Sequence, residues 1–283
     1  MSLSGLADIS MHILLQGGIY ALVVMGVYLS SRIIKFDDLT TEGSFGFGGA
    51  VTGLLLISGM GSWLTIPASL LSGAIAGLIT GLLHTRLKMN NLICGLVVTT
   101  ALFSVCLKLA GGNLSLHGKE TIFPHASPLN ALALVGFIIG IAYLVLHLLF
   151  RSEIGLLLKA LGTNPQMLTN LGKSVDGYKI FGLVAANSLT ALAGSLFVQW
   201  NGFFSITGSV GTLVIGLTGL ILSEMIRPRF GVALIVGAIL TQAIFALTIA
   251  LELEPLWNNL IKALLVVVLI KLKPSGQPIM SVR

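Results

Sequence analysis

The sequence predicts an all-α fold, a polytopic transmembrane helical bundle of about nine spans, with eight to ten as the range. Three observations predict it. Hydrophobic residues make up 55% of the 283 positions and charged residues 9%, and the mean hydropathy is +1.00, a balance that cannot cover the surface of a water-soluble domain. Apolar stretches close to the roughly 20 residues a bilayer requires recur along the whole chain. Basic residues gather on one side of the resulting helices.

The first stretch, 12–32, follows a segment without Lys or Arg and precedes no small-residue cleavage site, so it is expected to remain as a span. The second, 43–60, opens on Gly43, Gly46, Gly48 and Gly49; this backbone could break within the membrane, or it could let helices approach closely. Small-residue packing spacing recurs as Gly49-x-x-x-Gly53, as Gly73-x-x-x-Gly77 in the third stretch (64–85) and as Gly136-x-x-x-Gly140 in the fifth (129–150). The fourth, 92–110, holds both cysteines, Cys94 and Cys106, expected as small core hydrophobes. The remaining stretches are 179–200, 208–226, 230–250 and 256–271. Only 111–128 and 151–178 are long polar connections, so residues 1–283 form a single transmembrane domain.

The net charge of +6 is not a nucleic-acid footprint, because its placement follows the spans. Arg32, Lys35, Arg86, Lys88, Arg151, Lys159, Lys173, Lys179, Arg227, Arg229, Lys271, Lys273 and Arg283 fall on one side, and only Lys108, Lys119 and Lys262 on the other. The positive-inside rule makes the first side cytoplasmic, the N-terminus external and the C-terminus cytoplasmic.

The segment "RSEIGLLLKALGTNPQMLTNLGKSVDGYKI", residues 151–180, is therefore expected in the cytoplasm. Glu153 to Leu161 reads as helix continuing the fifth span, and Gly162 and Thr163 interrupt it. Asn164 can cap a new helix, Pro165 suits its first position and Gly172 its end. Met167, Leu168 and Leu171 share one face of this short helix, an apolar face in need of a partner. Gly172-Lys173-Ser174 imitates the end of a phosphate-binding loop, but the position five before Gly172 is Met167 where the loop requires glycine, so the chain does not hydrolyse ATP by itself.

Polar groups inside the spans should face protein or water. On one face of the sixth span lie Asn187, Thr190 and Asn201; Thr99, Thr241 and Gln242 are similar, and Glu42 and Ser44 sit in the Gly-rich stretch. These are the candidates for a solute pathway, although such residues also bond between packed helices. Glu42 and Glu224 are expected near cytoplasmic ends, paired or reaching the membrane surface, Glu224 standing three residues before Arg227. A proton- or sodium-driven pump would keep an ionisable group near mid-membrane, and none stands out. The scattered histidines offer no metal site, and the spans hold no nucleophile–base pair, so the chain does not read as an enzyme.

Residues 150–196 resemble the cytoplasmic loop and following span of ABC importer permeases of the branched-chain amino acid and ribose family. The pattern is carried by Gly155, Ala160, Gly162, Asn164, Pro165 and Gly172, then Asn187, Ser188, Ala191 and Gly194. "GGIYALVVMGVYL" and "GTLVIGLTGLILSE" resemble two further spans, whereas "IIKFDDLTTEGSFGFGG" departs from the amino-acid permeases and is similar to a branch linked to aromatic amino acid uptake.

The resemblance implies a type II importer fold in the bacterial inner membrane. A second permease copy, as a homodimer, would line one pathway for a small polar solute, and an external substrate-binding protein would deliver it. Two cytoplasmic ATPase subunits would bind the ATP and Mg, with no cofactor in this chain. Residues Glu153 to Leu171 would be the coupling segment seated on the ATPase. A secondary transporter working without an ATPase is the alternative.

The topology has a direct check. With Cys94 and Cys106 replaced, a single cysteine at Lys119 should react with an impermeant thiol reagent on intact cells and one at Lys173 should not; the reverse pattern would invert the orientation.

Overall fold

The computed structural model describes residues 3–123, 128–226, 231–250 and 258–272. Eleven α-helices account for nearly all of it: α1 (Leu3–Val27), α2 (Thr40–Ile57), α3 (Thr65–Arg86), α4 (Asn91–Ala110), α5 (Pro128–Arg151), α6 (Glu153–Thr163), α7 (Pro165–Asn170), α8 (Val175–Asn201), α9 (Thr212–Ile226), α10 (Val232–Ala250) and α11 (Asn258–Leu272). A π-helical turn, Tyr28–Ile33, extends α1. Two three-residue strands, β1 (Asn113–Ser115) and β2 (Phe203–Ser205), pair antiparallel with Leu114 opposite Phe204.

Each of the nine predicted apolar stretches falls on a helix. Among the described residues, six helices are long and apolar enough to cross a membrane, so the count of nine crossings exceeds what length and composition establish. The helix α2 is diluted by glycine, threonine and Glu42 because it is enclosed by neighbours, and needs no lipid-compatible surface. Residues 256 and 257 of the predicted 256–271 stretch lie outside the described residues.

Helix α8 is the axis of the bundle. It packs against α2, α3 and α1, and α2 packs also against α4. Backbones meet almost directly: a Cβ on Gly48 would strike the carbonyl of Ala191, one on Gly73 that of Asn187, one on Gly77 that of Leu183, and one on Gly194 that of Phe45. Without a hydrophobic force between helices in lipid, such close approach supplies the association through dispersion and polar contacts.

Three side-chain pairs cross this seam to α8, and a fourth, Thr40 with Thr80, joins α2 to α3. The Thr40 and Thr80 hydroxyls are 2.8 Å apart, Ser44 donates to Asn187 Oδ1 at 2.6 Å, Thr52 donates to Ser195 at 2.7 Å, and Gln199 Nε2 donates to Thr65 at 2.9 Å. All eight residues are buried. The order of the pairs makes α2 parallel and α3 antiparallel to α8.

Two expectations change, and one alternative is decided. Of the two readings of the α2 glycines, close packing holds, and the helix runs unbroken over them. The broken backbone lies instead at the predicted 208–226 span, where helix starts only at Thr212, after a 3₁₀ turn at Thr207–Ser209 and a left-handed Gly211. Gly73 and Gly77 pack on backbone as their spacing suggests, but Gly136 and Gly140 meet nothing, because they lie on the exposed face of α5. Both cysteines are free and buried in α4.

Gly48→Ala should therefore destabilise the detergent-solubilised protein by about 1–3 kcal/mol through overpacking, while Gly140→Ala, on an open face, should change the melting temperature little.

Candidate functional site

Two regions concentrate the sequence candidates: a helical hairpin at the end of the bundle that carries Arg32, Arg86 and Arg151, and a broken-backbone site near the middle of α8.

The hairpin begins at a sharp turn. Ser152 accepts a hydrogen bond from Gly155 N at 3.3 Å, and its extended backbone separates α5 from α6, so Glu153 to Leu161 does not continue the fifth span. The turn is tight enough that a Cβ on Gly155 would strike the Leu149 carbonyl. Helix α6 continues through Gly162 and Thr163 and ends at Asn164. There the expected side-chain cap is missing, since Asn164 sits at φ −151° and ψ 88°, while Pro165 does occupy the first turn of α7. Gly172, at φ +69°, turns the chain away with Lys173 N donating to Leu168 O at 2.9 Å.

The α7 face divides. Leu168 is fully buried in a cluster with Ile34, Phe36, Leu157, Leu161 and Leu183, whereas Met167 and Leu171 are 50% and 55% exposed. Ala160 packs against that cluster. A Cβ on Gly162 would strike the Ile33 carbonyl, which seats the hairpin on the π-helical turn. Lys173 donates to Glu153 at 3.1 Å, and that bond raises the Lys173 ammonium above its ordinary pKa. Burial lowers that of Lys159, whose ammonium donates to Phe150 O at 3.2 Å.

Behind the hairpin, Arg32 forms a two-pronged ion pair with Glu224, Nε to Oε1 at 2.6 Å and Nη2 to Oε2 at 3.3 Å. This corrects the expected pairing within 224–227; Arg227 lies outside the described residues. Sequence spacing could not show it, because the partners stand 192 positions apart.

In the second region, the chain descends along α2 from the strand pair. Phe204 lies beside Gly53 and Gly211 beside Glu42, a drop of roughly 16 Å at 1.5 Å per residue. Glu42 Oε1 accepts from Gly211 N at 2.9 Å, just ahead of α9, where the helix dipole favours a carboxylate. Ser44, two residues along, bonds Asn187 in the middle of α8, which fixes the level of this region and puts Glu42 deeper in the bundle than the expected cytoplasmic end. Two small cavities flank the contact between Gly46 and Ser209. One, of about 40 Å³, is lined by Glu42, Thr99, Phe103, Cys106 and Ser209 among others. The other, of about 90 Å³, is lined by Phe45, Phe197, Phe203 and Phe204.

The other candidates are dispersed. Asn187 joins Ser44 to Asp38, donating to Asp38 Oδ2 at 2.7 Å. Asp38, which sequence reading passed over, is buried and also accepts from Thr40 N at 2.8 Å; its proximity to Asn187 had no signal in spacing. Thr190 donates to Ala186 O, and Thr241 to Gly237 O. Gln242 is buried in α10. Asn201 sits at the opposite end of the bundle, in a cleft of about 550 Å³ with His117, Lys119, Gln199 and Trp200.

A family model described as branched-chain amino acid transport system permease component matches residues 9–270. The chain belongs to this ABC transporter permease family. The tyrosine transport system permease protein of Clostridioides difficile (strain R20291) is 30% identical over 270 residues, covering 93% of this chain and 90% of that one. A nucleoside ABC transporter permease of Lactococcus lactis subsp. cremoris is 26% identical, over 81% and 70% of the two chains. An autoinducer 2 import system permease of Yersinia pseudotuberculosis is 28% identical, over 80% and 66%. A metal-chelate type ABC transporter solved in an inward-facing conformation shares the fold, with a TM-score of 0.54 and 14% identity over 92% of this permease and 84% of that chain. The permease is thus a multi-pass inner-membrane transport component.

Removing one partner of the Arg32–Glu224 pair should cost the permease about 2–4 kcal/mol, partial exposure of Arg32 trimming the cost of a fully buried pair. A double-mutant cycle with the charge-swapped Arg32→Glu/Glu224→Arg variant should recover most of that loss in thermal unfolding.

Proposed function

We propose that this permease forms the translocation pathway of an ATP-driven importer for a small polar solute, an amino acid, delivered by an external binding protein. The observation that carries the reading is the hairpin α6–α7. Leu168 anchors it to the bundle while Met167 and Leu171 remain exposed next to it, an arrangement suited to a soluble partner's groove.

In this reading the partner is a cytoplasmic ATPase, which binds the ATP and Mg. Closure of the ATPase pair displaces the hairpin, and Gly162 passes the displacement to the π-helical turn and the end of α1. Each permease supplies one hairpin, so two ATPase subunits call for two permeases, here a homodimer. The basic end is cytoplasmic, with the N-terminus outside and the C-terminus inside, and all nine helical stretches cross the membrane. Solute passes by Glu42, Ser44 and Thr99, of which Glu42 is bonded to Gly211 N of the descending segment, Ser44 to Asn187 and Thr99 to Leu39 O; Asn187, Thr190, Thr241 and Gln242 support the helices around it, and Asn201 belongs to the external mouth.

The test is copurification. Met167→Glu combined with Leu171→Glu, both at exposed positions, should leave thermal stability within about 0.5 kcal/mol yet reduce recovery of the ATPase at least tenfold, about 1.4 kcal/mol. Full recovery of the ATPase with transport intact would overturn the coupling role.

A further inference from the structure

We infer that the cavity at Glu42 is an ammonium-binding subsite, so that the solute carries a protonated amine. The inference rests on the amino-acid pathway reading above and adds the place in the fold where the solute's amine is held.

Donors and acceptors around the cavity are unbalanced. Thr99 spends its hydroxyl proton on Leu39 O at 2.8 Å, and Ser209 spends its own on Ile206 O at 2.7 Å. The amides of Ser209 and Val210 donate to Ile206 O and Thr207 O. Glu42 receives one hydrogen bond, from Gly211 N at Oε1, and its second oxygen accepts nothing from the described residues. The ion pairs among the described residues, Arg32–Glu224 and Lys173–Glu153, lie elsewhere, so none of the described side-chain cations pairs with Glu42. What the cavity offers is a carboxylate oxygen and hydroxyl lone pairs, with the weak Cys106 S–H as the remaining donor.

An ammonium group matches this set, for it has three donors, no acceptor and a positive charge. A carboxylate or phosphate would meet a like-charged carboxylate, acceptor lone pairs and a single weak S–H donor. The cavity's 40 Å³ holds an end group rather than a whole solute. The phenyl-lined cavity shares Gly46 and Ser209 with it, so a ring joined to the amine by a short link finds its place beside the charge. Asp38, the other carboxylate of this region, is buried and occupied by Thr40 and Asn187, which leaves Glu42 as the group open to a ligand.

The permease–ATPase complex, purified with each variant so that assembly is read separately, is tested by thermal shift with phenylalanine, phenethylamine and 3-phenylpropionate. These share the ring and differ in the amine and carboxylate. Phenylalanine and phenethylamine should raise the melting temperature of the native complex and 3-phenylpropionate should not. Glu42→Gln, whose amide oxygen still accepts from Gly211 N, should weaken the amine effect about 10- to 100-fold, and Glu42→Asp should keep part of it. Equal shifts by 3-phenylpropionate, no shift by either amine, or an unchanged response in Glu42→Gln would overturn the subsite. So would stabilisation by sodium chloride over choline chloride that is lost in Glu42→Gln without any amine effect, since that marks a metal-cation site. Failure of these arms in a complex that still assembles would leave the ATPase-coupling reading standing, whereas loss of assembly in the Met167/Leu171 variant bears on that reading alone.

Discussion

Contact between backbones at the seam of α8 with α2 and α3 is the constraint on which the structure depends. A bilayer gives helices no hydrophobic reason to associate, so the interface must be won by proximity and by polar pairs. Glycine at positions 48, 73, 77 and 194 lets carbonyls of one helix touch the axis of the next, and that proximity brings short side chains such as Ser44, Thr52 and Thr40 within reach of their partners. Longer residues could not bridge so small a gap without separating the helices.

With that seam fixed, the two working regions acquire rigid references. Glu42 is held two residues from Ser44, near the level where α8 is pinned by Asn187, so the descending segment meets a stationary carboxylate. The hairpin rests on the opposite side of the same framework, through Leu168 and through Gly162 against Ile33. Between them stand the π-helical turn and Arg32, bound across to α9.

The fold was legible wherever one segment's own composition decided its state. Long apolar stretches gave helices, Pro165 and Gly172 gave the limits of α7, and the glycine spacing of α3 gave its packing face. The sequence misled where tertiary context chose among local options. Gly136 and Gly140 have the same spacing as Gly73 and Gly77, yet no helix came to meet them. Asn164 is an excellent cap by type, but the turn between α6 and α7 held its backbone elsewhere. The partners of Glu224 and Asn187 lie in distant helices, beyond any period of a single segment. The glycines in α2 left a break or close packing open, and placing the break ahead of α9 required knowing that Gly211 would find Glu42.

The π-helical turn carries a further meaning for how this chain tolerates change in length. An amide at Ile34 reaching back to Leu29 accommodates a residue more than regular α-helical winding would. Deleting one residue between Tyr28 and Ile33 would let α1 wind regularly to its end, and everything beyond the deletion would swing about 100° around the axis. Arg32 would then point away from α9, and the Ile33 carbonyl would leave Gly162. The surplus residue thus acts as a phase setting, tuning the angular register by which the end of the first helix addresses its two neighbours at once.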